Sequence, residues 1–194
     1  MINQHTLKNY LVHFTHEKEI LSLAFSWDSP LDEANDDRFL QKLLLTEKSE
    51  NIPLLLCPDD FDFSCTILLL KIIFTETKVI WEKVGFISWK NFSDEICATT
   101  GYRDFNTWQA PDYENYSAEY AFSYATEARW QELISANWPE ERRRRLLNYY
   151  YPYFNDDKNI QWLPSLNWQF HLENYQNILS KIRKNYYQQL LKKI

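Results

Sequence analysis

The stretch FDFSCTILLLKIIFTETKVIWEKVGFISW, residues 61–89, decides the fold. Its first run, CTILLLKIIF (65–74), is apolar at both alternate sets of positions apart from Thr66 and Lys71. Periodicity alone therefore does not separate a buried strand from a buried helix, and length and neighbours have to arbitrate. The second run, KVIWEKVGFISW (78–89), is rich in Val, Ile, Trp and Phe, and sets Ile80, Glu82 and Val84 against Val79, Trp81 and Lys83. That composition and alternation suit a strand. Thr75, Glu76 and Thr77 lie between the runs, so the stretch is read as a β-hairpin of 65–74 and 78–89, largely covered on both faces. Its turn lacks the glycine that tight hairpins favour.

Outward from the hairpin, PLLLC (53–57), closed by Pro58, reads as a further strand. Residues 4–25 place Leu7, Tyr10, Leu11 and Phe14, then Ile20, Leu21, Leu23 and Ala24, at mostly three-to-four spacing, as one or two amphipathic helices do. Ser29 followed by Pro30, with Asp32 and Glu33 in the next turn, starts another helix with an apolar stripe from Leu31 to Leu44 and an acidic opposite face. On the C-terminal side, AEYAFSYA (118–125) alternates like a strand and competes with a helix running through ATEARWQELI. PEERRRRLLNYY (139–150) opens a helix, YYPYFNDDKN (150–159) reads as loop, LNWQFHL (166–172) is the cleanest period-two segment, and ENYQNILSKIRKNYYQQLLKKI (173–194) is a last helix with Tyr175, Ile178, Leu179, Ile182 and Tyr186 on one side. No internal repeat or low-complexity linker interrupts the chain. The expectation is one domain over residues 1–194 of the α+β class: an antiparallel sheet centred on the hairpin, N-terminal helices and a helix-rich C-terminal half.

At 194 residues and 45% hydrophobic composition the chain is long enough to bury one sizeable core. Aromatic residues make up 17%, and Tyr and Trp suit contact surfaces as well as cores. Only Gly85 and Gly101 are glycines, which excludes phosphate loops and dinucleotide fingerprints and leaves no cofactor to expect. Three cysteines, Cys57, Cys65 and Cys97, are odd in number, and the first two sit in or beside apolar segments as reduced packing thiols do. The N-terminus carries no basic and apolar leader pattern, and no stretch approaches a membrane span. A cytoplasmic protein without a membrane partner is expected. The net charge of −6 is uneven: residues 1–100 hold sixteen acids against nine Lys/Arg, residues 101–194 eleven against twelve.

No constellation identifies a reaction. His13 and His16 lack a third ligand and read as a surface pair; Cys57 and Cys65 are too far apart for a zinc knuckle. The loop PDDFD, with Asp59, Asp60 and Asp62, lacks the glycine and distal glutamate of a calcium loop and reads as a turn. Neither a catalytic nor a metal-binding residue is therefore assigned. Residues 28–62 hold ten acids against three bases, so Asp32, Glu33, Asp36, Asp37, Asp59, Asp60 and Asp62 form either a solvated face or an acidic surface offered to a basic partner. The run RRRR (142–145) could grip phosphate, but Glu140 and Glu141 can offset it, and the lysines near the C-terminus suit a helix dipole.

The order LLLCPDDFDFSCTILLLKI, KVIWEKVGFISW and, late, LNWQFHLENYQNIL resembles bacterial immunity proteins of polymorphic-toxin and contact-dependent growth-inhibition systems. The shared arrangement is a Cys, an acidic loop, a hairpin with V-x-W then G, and a W-x-F before an E-N-Y helix, over about a third of the chain. The resemblance implies a cytoplasmic protein that binds one cognate toxin domain, of basic character, and blocks it. Two other classes stand beside it. One is a small enzyme using dispersed Asp59, Asp60, His171 or Cys65; the other is a nucleic-acid-binding module using the four arginines and final lysines.

Overall fold

A computed structural model describes residues 4–26, 48–59, 63, 65–122 and 124–191. In chain order the elements are helix α1 (Gln4–Thr15) and strands β1 (Ala24–Phe25), β2 (Glu50–Leu56), β3 (Ile67–Phe74) and β4 (Lys78–Ile87). Helices α2 (Asp94–Ala98), α3 (Ala110–Tyr116), α4 (Glu127–Ala136), α5 (Trp138–Arg145) and α6 (Tyr151–Phe154) follow, then β5 (Ile160–Trp162), β6 (Trp168–His171) and α7 (Leu172–Leu191). The class is α+β, with every strand pair antiparallel. The chain forms two compact units, Met1–Ile87 with Ile160–Ile194, and Ser88–Asn159. The helix expected after Ser29 lies outside the described residues.

In the first unit the hairpin stands where the sequence puts it, trimmed to 67–74 and 78–87. Leu68 faces Phe86, Leu70 faces Val84 and Phe74 faces Val79. A threonine does the work of the missing turn glycine: the Thr75 amide donates to the Lys78 carbonyl (2.9 Å), and the Lys78 amide donates to the Thr75 hydroxyl (3.0 Å). The strand expected at 53–57 is β2, paired between β1 and β3. Its Pro53, which has no N–H to give, sits at a register shift between Pro53 and Leu55, and its carbonyl accepts from the Ser26 hydroxyl at 2.7 Å. Leu54, Leu55, Leu56, Leu68, Leu69 and Leu70 are all completely buried. At about 2 kcal/mol for each such side chain, this leucine block is the main hydrophobic investment of the unit.

The free edge of β4 is covered twice. β6 pairs with residues 78–81 and β5 with residues 85–87, so the chain from 160 to 171 acts as one edge strand with a break. The break lies opposite Glu82, the extra residue of a bulge between the Lys71–Lys83 and Ile72–Trp81 pairs. There the amides of Leu166 and Asn167 both donate to the Glu82 carbonyl (2.8 and 3.0 Å), and Asn167 takes a left-handed φ of 51°, which asparagine tolerates better than most. The period-two reading of 166–172 thus holds for its strand portion, and α7 starts at Leu172.

One sheet face carries Trp81, Trp168 and Phe170, with Trp81 stacked on Trp168 at 6.2 Å. Tyr175 of α7 approaches Phe74 and Phe170 edge-on or tilted at 5.9 Å each and accepts a hydrogen bond from Trp81 Nε1 at 3.3 Å. Burial pushes the Tyr175 hydroxyl pKa up, against the lowering effect of that bond. Phe14 of α1 meets Trp168 edge-on at 5.4 Å. Of the stripe expected in the first helix only Leu11 is wholly buried, whereas Tyr10 and Phe14 stay largely exposed. The helix ends at His16 in a left-handed conformation (φ 62°), its amide donating to Val12 O at 2.8 Å.

In the second unit two expectations change. Residues 118–125 are not a strand: Ser117–Ala121 form a π-type turn continuing α3, in the direction of the competing helical reading. Tyr120 is buried there while Phe122 and Tyr124 point outward, so the alternation marks no common face. Residues 150–159 are not wholly loop: Tyr151–Phe154 form α6, continuing directly from the π-type turn Leu146–Tyr150, and Pro152, which has no N–H to donate, is accommodated just after that turn. The short helix is held by ring contacts of Tyr153 with Trp89 (6.0 Å, nearly parallel) and Phe92 (5.4 Å).

Gly85 is a steric requirement of the broken edge. A Cβ there would lie 2.7 Å from Ile160 Cγ2 and 2.8 Å from both the Gln161 carbonyl oxygen and Trp162 Cε3. Because one of these neighbours is backbone, Gly85→Ala is expected to cost about 1–3 kcal/mol in urea-induced unfolding, by prising β5 from β4. An unchanged midpoint would show that β5 is not held against β4 in solution.

Candidate functional site

The second unit has an aromatic interior. Seventeen of the chain's thirty-three aromatic residues fall in residues 88–159, and the buried cluster Tyr102, Trp108, Tyr120, Leu133 and Ile134 is packed by Trp130 and Tyr116. Rings of this kind hold shape with few rotatable bonds, and their polar tips need partners. Trp108 Nε1 donates to the Tyr102 carbonyl (2.7 Å), and the Tyr120 hydroxyl donates to the Arg129 carbonyl (3.2 Å).

The charged helix α5 supplies the rest of the interior. In WPEERRRR the i,i+3 and i,i+4 spacings bring each glutamate beside an arginine, with Glu N-terminal to Arg as the dipole favours. Glu140 binds Arg143 (2.7 Å) and Arg144 (2.8 Å), and Glu141 binds Arg145 (2.6 Å). Arg144 is the centre: its side chain is 5% exposed, it reaches Asp112 Oδ2 at 2.7 Å, and its guanidinium lies 4.1 Å from the centre of the Tyr102 ring. Asp112 in turn accepts from the Gln109 amide at 2.7 Å as part of the capping box of α3. Glu141, fully buried, also accepts from the Tyr102 amide at 2.7 Å. That approach is open only because residue 101 is glycine, since a Cβ there would collide with the Glu141 carboxylate.

The electrostatics follow from this closure. Burial alone would lower the Arg144 pKa, but the hydrogen bonds it donates to Asp112 and Glu140 outweigh it and hold the guanidinium above its ordinary value. Burial likewise pushes Glu140 up, and its bonds to Arg143 and Arg144 outweigh that and hold it below the usual carboxylate range. Burial raises the Tyr102 hydroxyl to about 12, despite Arg144 acting to lower it. Each charge is satisfied by another in the same network. Phosphate binding by this run would have to displace carboxylates from Arg143, Arg144 and Arg145.

What the interior presents outward is aromatic. Phe105 and Tyr113 are half-exposed rings packed edge-on against Trp108 at 4.9 and 5.3 Å, and the Tyr113 hydroxyl donates to the Phe105 carbonyl at 3.2 Å. Phe105 also contacts Trp130 (6.0 Å), which in turn packs on Tyr120 (4.8 Å). Just after the π-type turn, Phe122 is 66% and Tyr124 78% exposed. Around these rings run Glu119, Glu127 and Glu132, paired with Arg129 and Arg103, and the exposed Glu114. Phe105 and Tyr113, mounted on Trp108, and the solvent-facing Phe122 and Tyr124 are residues of the kind that protein contact surfaces use.

Of the acidic residues singled out in the sequence, Asp59 is exposed in the turn after β2. Asp32, Glu33, Asp36, Asp37, Asp60 and Asp62 lie outside the described residues. His13, His16 and His171 are all exposed, and no group of three His, Cys, Asp or Glu among the described residues could hold a metal ion. His171 pairs with Lys78 at the turn end of the hairpin, whereas Cys65 precedes the other end of β3. About 25 Å of strand separates them, so they do not form a thiol–imidazole pair. No described helix is long and apolar enough to cross a membrane. Phe105, Tyr113, Phe122 and Tyr124 were not marked by any motif; the high aromatic content was their one signal.

Replacing Arg144 by Met should cost about 3–5 kcal/mol, because Asp112 and Glu140 would be left without their cation. Adding Asp112→Asn and Glu140→Gln should recover part of that loss in urea titrations. The Glu140 contribution is fully present above its ordinary pKa of 4.5 and lost as pH falls through the lower folded value. Unfolding free energy should therefore fall on acidification below that range, less steeply in Glu140→Gln. Comparison of the chain with protein-family models, curated proteins and solved structures yields no match.

Proposed function

We propose that this chain is a cytoplasmic immunity protein that neutralises a cognate toxin domain by stoichiometric binding. The observation that carries this reading is the exposure of Phe122 and Tyr124 beyond a rigid aromatic unit whose buried ionisable groups are consumed by one another. Solvent-facing rings on a preorganised support bind a partner without a large ordering cost. The resemblance in the order of hairpin, acidic loop and W-x-F segment supports the same class of partner. So does the charge: at −6 overall, the protein would draw a basic toxin domain by long-range attraction, accelerating encounter and making it sensitive to salt.

In this reading the acids at Asp32, Glu33, Asp36, Asp37, Asp59, Asp60 and Asp62 serve encounter, and the rings of the second unit serve residence. No cofactor or metal takes part. For the enzyme alternative, Cys65 and His171 of its dispersed set lie far apart along the hairpin, and the nucleic-acid alternative has most of its arginines paired to Glu140, Glu141 and Asp112.

Mixing the purified protein with the toxin domain encoded beside it should give a one-to-one complex on gel filtration. Phe122→Ala and Tyr124→Ala should each weaken it by about 2 kcal/mol, roughly thirtyfold in Kd by calorimetry. Absence of any complex would sink the immunity reading. A complex indifferent to both substitutions would keep the function and move the surface elsewhere.

A further inference from the structure

The sequence suggests that Cys57 and Cys65 are reduced packing thiols; in the structure they are reduced and stand half-buried at the end of the β2–β3 ladder. The β2–β3 ladder, which pairs Leu56 with Ile67, continues one residue further: the Cys57 amide donates to the Thr66 carbonyl at 3.0 Å. Cys57 therefore stands opposite Thr66, and Cys65 is the next residue back along the chain. Cys65 lies in a bend ahead of β3, so its side chain is not committed to the alternation of the strand and can turn toward its neighbour. The Cys65 side chain is close enough to Cys57 to act on its thiol, pushing its pKa up. Both are half-buried reduced thiols, in contrast to Cys97, which is buried in the second unit.

Two thiols at adjoining positions across the end of an antiparallel ladder, with only the residues from 58 to 64 between them in sequence, are within reach of a single disulfide. We propose that Cys57 and Cys65 form a dithiol that low-molecular-weight disulfides such as oxidised glutathione convert reversibly to an intramolecular disulfide, a thiol modification site at the mouth of the β2–β3 connection. The chemistry balances without a further reagent. One protein thiolate attacks a sulfur of oxidised glutathione, forming a mixed disulfide and expelling one glutathione thiolate. The second protein thiol gives up its proton, attacks the protein sulfur of the mixed disulfide and expels the second glutathione. The protein is oxidised by two electrons, and one oxidised glutathione becomes two reduced ones.

The neighbouring groups bear on the rate. The Asp59 backbone amide lowers the Cys57 pKa, but the Cys65 side chain and burial together hold it above the ordinary thiol value. Cys57 thus keeps its proton while Cys65 is present as a partner, and exchange should be slow at neutral pH and accelerate as pH rises. Asp59, Asp60 and Asp62, assigned above to encounter, lie in the same connection, but the thiol exchange needs no toxin and is tested on the protein alone.

The full-length protein would be equilibrated in buffers of graded oxidised-to-reduced glutathione ratio, quenched with acid, alkylated and mapped by mass spectrometry. Cys57 and Cys65 are expected to lose their reactivity toward alkylation together, with the peptides carrying them joined and lighter by two hydrogens, while Cys97 stays alkylated. Cys57→Ser and Cys65→Ser should stop at the mixed disulfide. Their glutathione adduct should exceed that of the native protein on the order of tenfold at millimolar glutathione, since the missing partner no longer competes at high effective concentration. Circular dichroism of both variants would establish that they are folded. Stable glutathione adducts on native Cys57 and Cys65 in the amounts seen in the variants, or loss of one thiol without the other, would overturn the proposal. So would both thiols remaining alkylatable at every ratio.

Discussion

A strand that is apolar along most of its length cannot leave its backbone groups unpaired on either edge, because each buried N–H or C=O without a partner costs about as much as a lost hydrogen bond. β4 is the strand on which that demand falls hardest. β3 satisfies one edge. The other is ten residues long and is met by two short pieces, β6 and β5, with the amides of Leu163, Leu166 and Asn167 filling the gap onto the carbonyls of Val84 and Glu82. The chain can do this only by returning in register, and it does: it leaves after Ile87 and re-enters at Ile160, its paired partner. Residues 88–159 are thus inserted between two neighbouring strands without disturbing a single ladder bond. Loop-closure entropy rises only slowly with length, so an insertion of this size is tolerable where a mismatch of one residue in register would not be.

What the sequence reveals of this architecture divides along the same line. The hairpin and β2 are local or nearly so, and their apolar runs and alternation are visible in a window of ten residues. β6 is visible too, because Trp168 and Phe170 alternate with Gln169 and His171. β5 is three residues, IQW, with no pattern of its own, and it exists because β4 needs it. Residues 118–125 mislead for the opposite reason. Tyr120, Phe122 and Tyr124 alternate, but no strand edge is available to them, and a helical turn that sends one ring inward and two outward wins. In YYPYF a proline suggests a loop, yet the helical run continues through it after the π-type turn Leu146–Tyr150, and Trp89 and Phe92 give Tyr153 something to pack against.

The candidate surface was legible only as a composition. An excess of rings says that some of them are left at the surface, but not which, since exposure is decided by tertiary placement. The arginine run was better posed: Glu140 and Glu141 at the right spacing announce that it is offset. What local spacing could not show is Asp112, thirty-two positions away, which completes the Arg144 pair. The two glycines carry the same lesson. Their scarcity excludes phosphate loops, but only the folded chain shows that Gly85 admits the Trp162 ring and Gly101 admits the Glu141 carboxylate.

The closed network also bears on the kind of function this unit can perform. A catalytic acid, base or anion clamp has to retain some valence for the substrate, and burial is useful to it only if a partner is withheld. Around Arg144 nothing is withheld: the guanidinium is shared between Asp112 and Glu140 and capped by Tyr102, and Glu141 is divided between Arg145 and the Tyr102 amide. Such an arrangement favours one packing of α3, α5 and the Gly101–Tyr102 turn over its alternatives, because any shift strands a buried charge. Rigidity gained inside is what allows rings to be exposed outside without collapsing onto their own support. Phe105 and Tyr113 rest on Trp108, and Trp108 is tied to Tyr102 through its indole N–H. The chain of contacts runs from a buried ion pair to a half-exposed ring in three steps, so the packing around Arg144 fixes where Phe105 and Tyr113 stand.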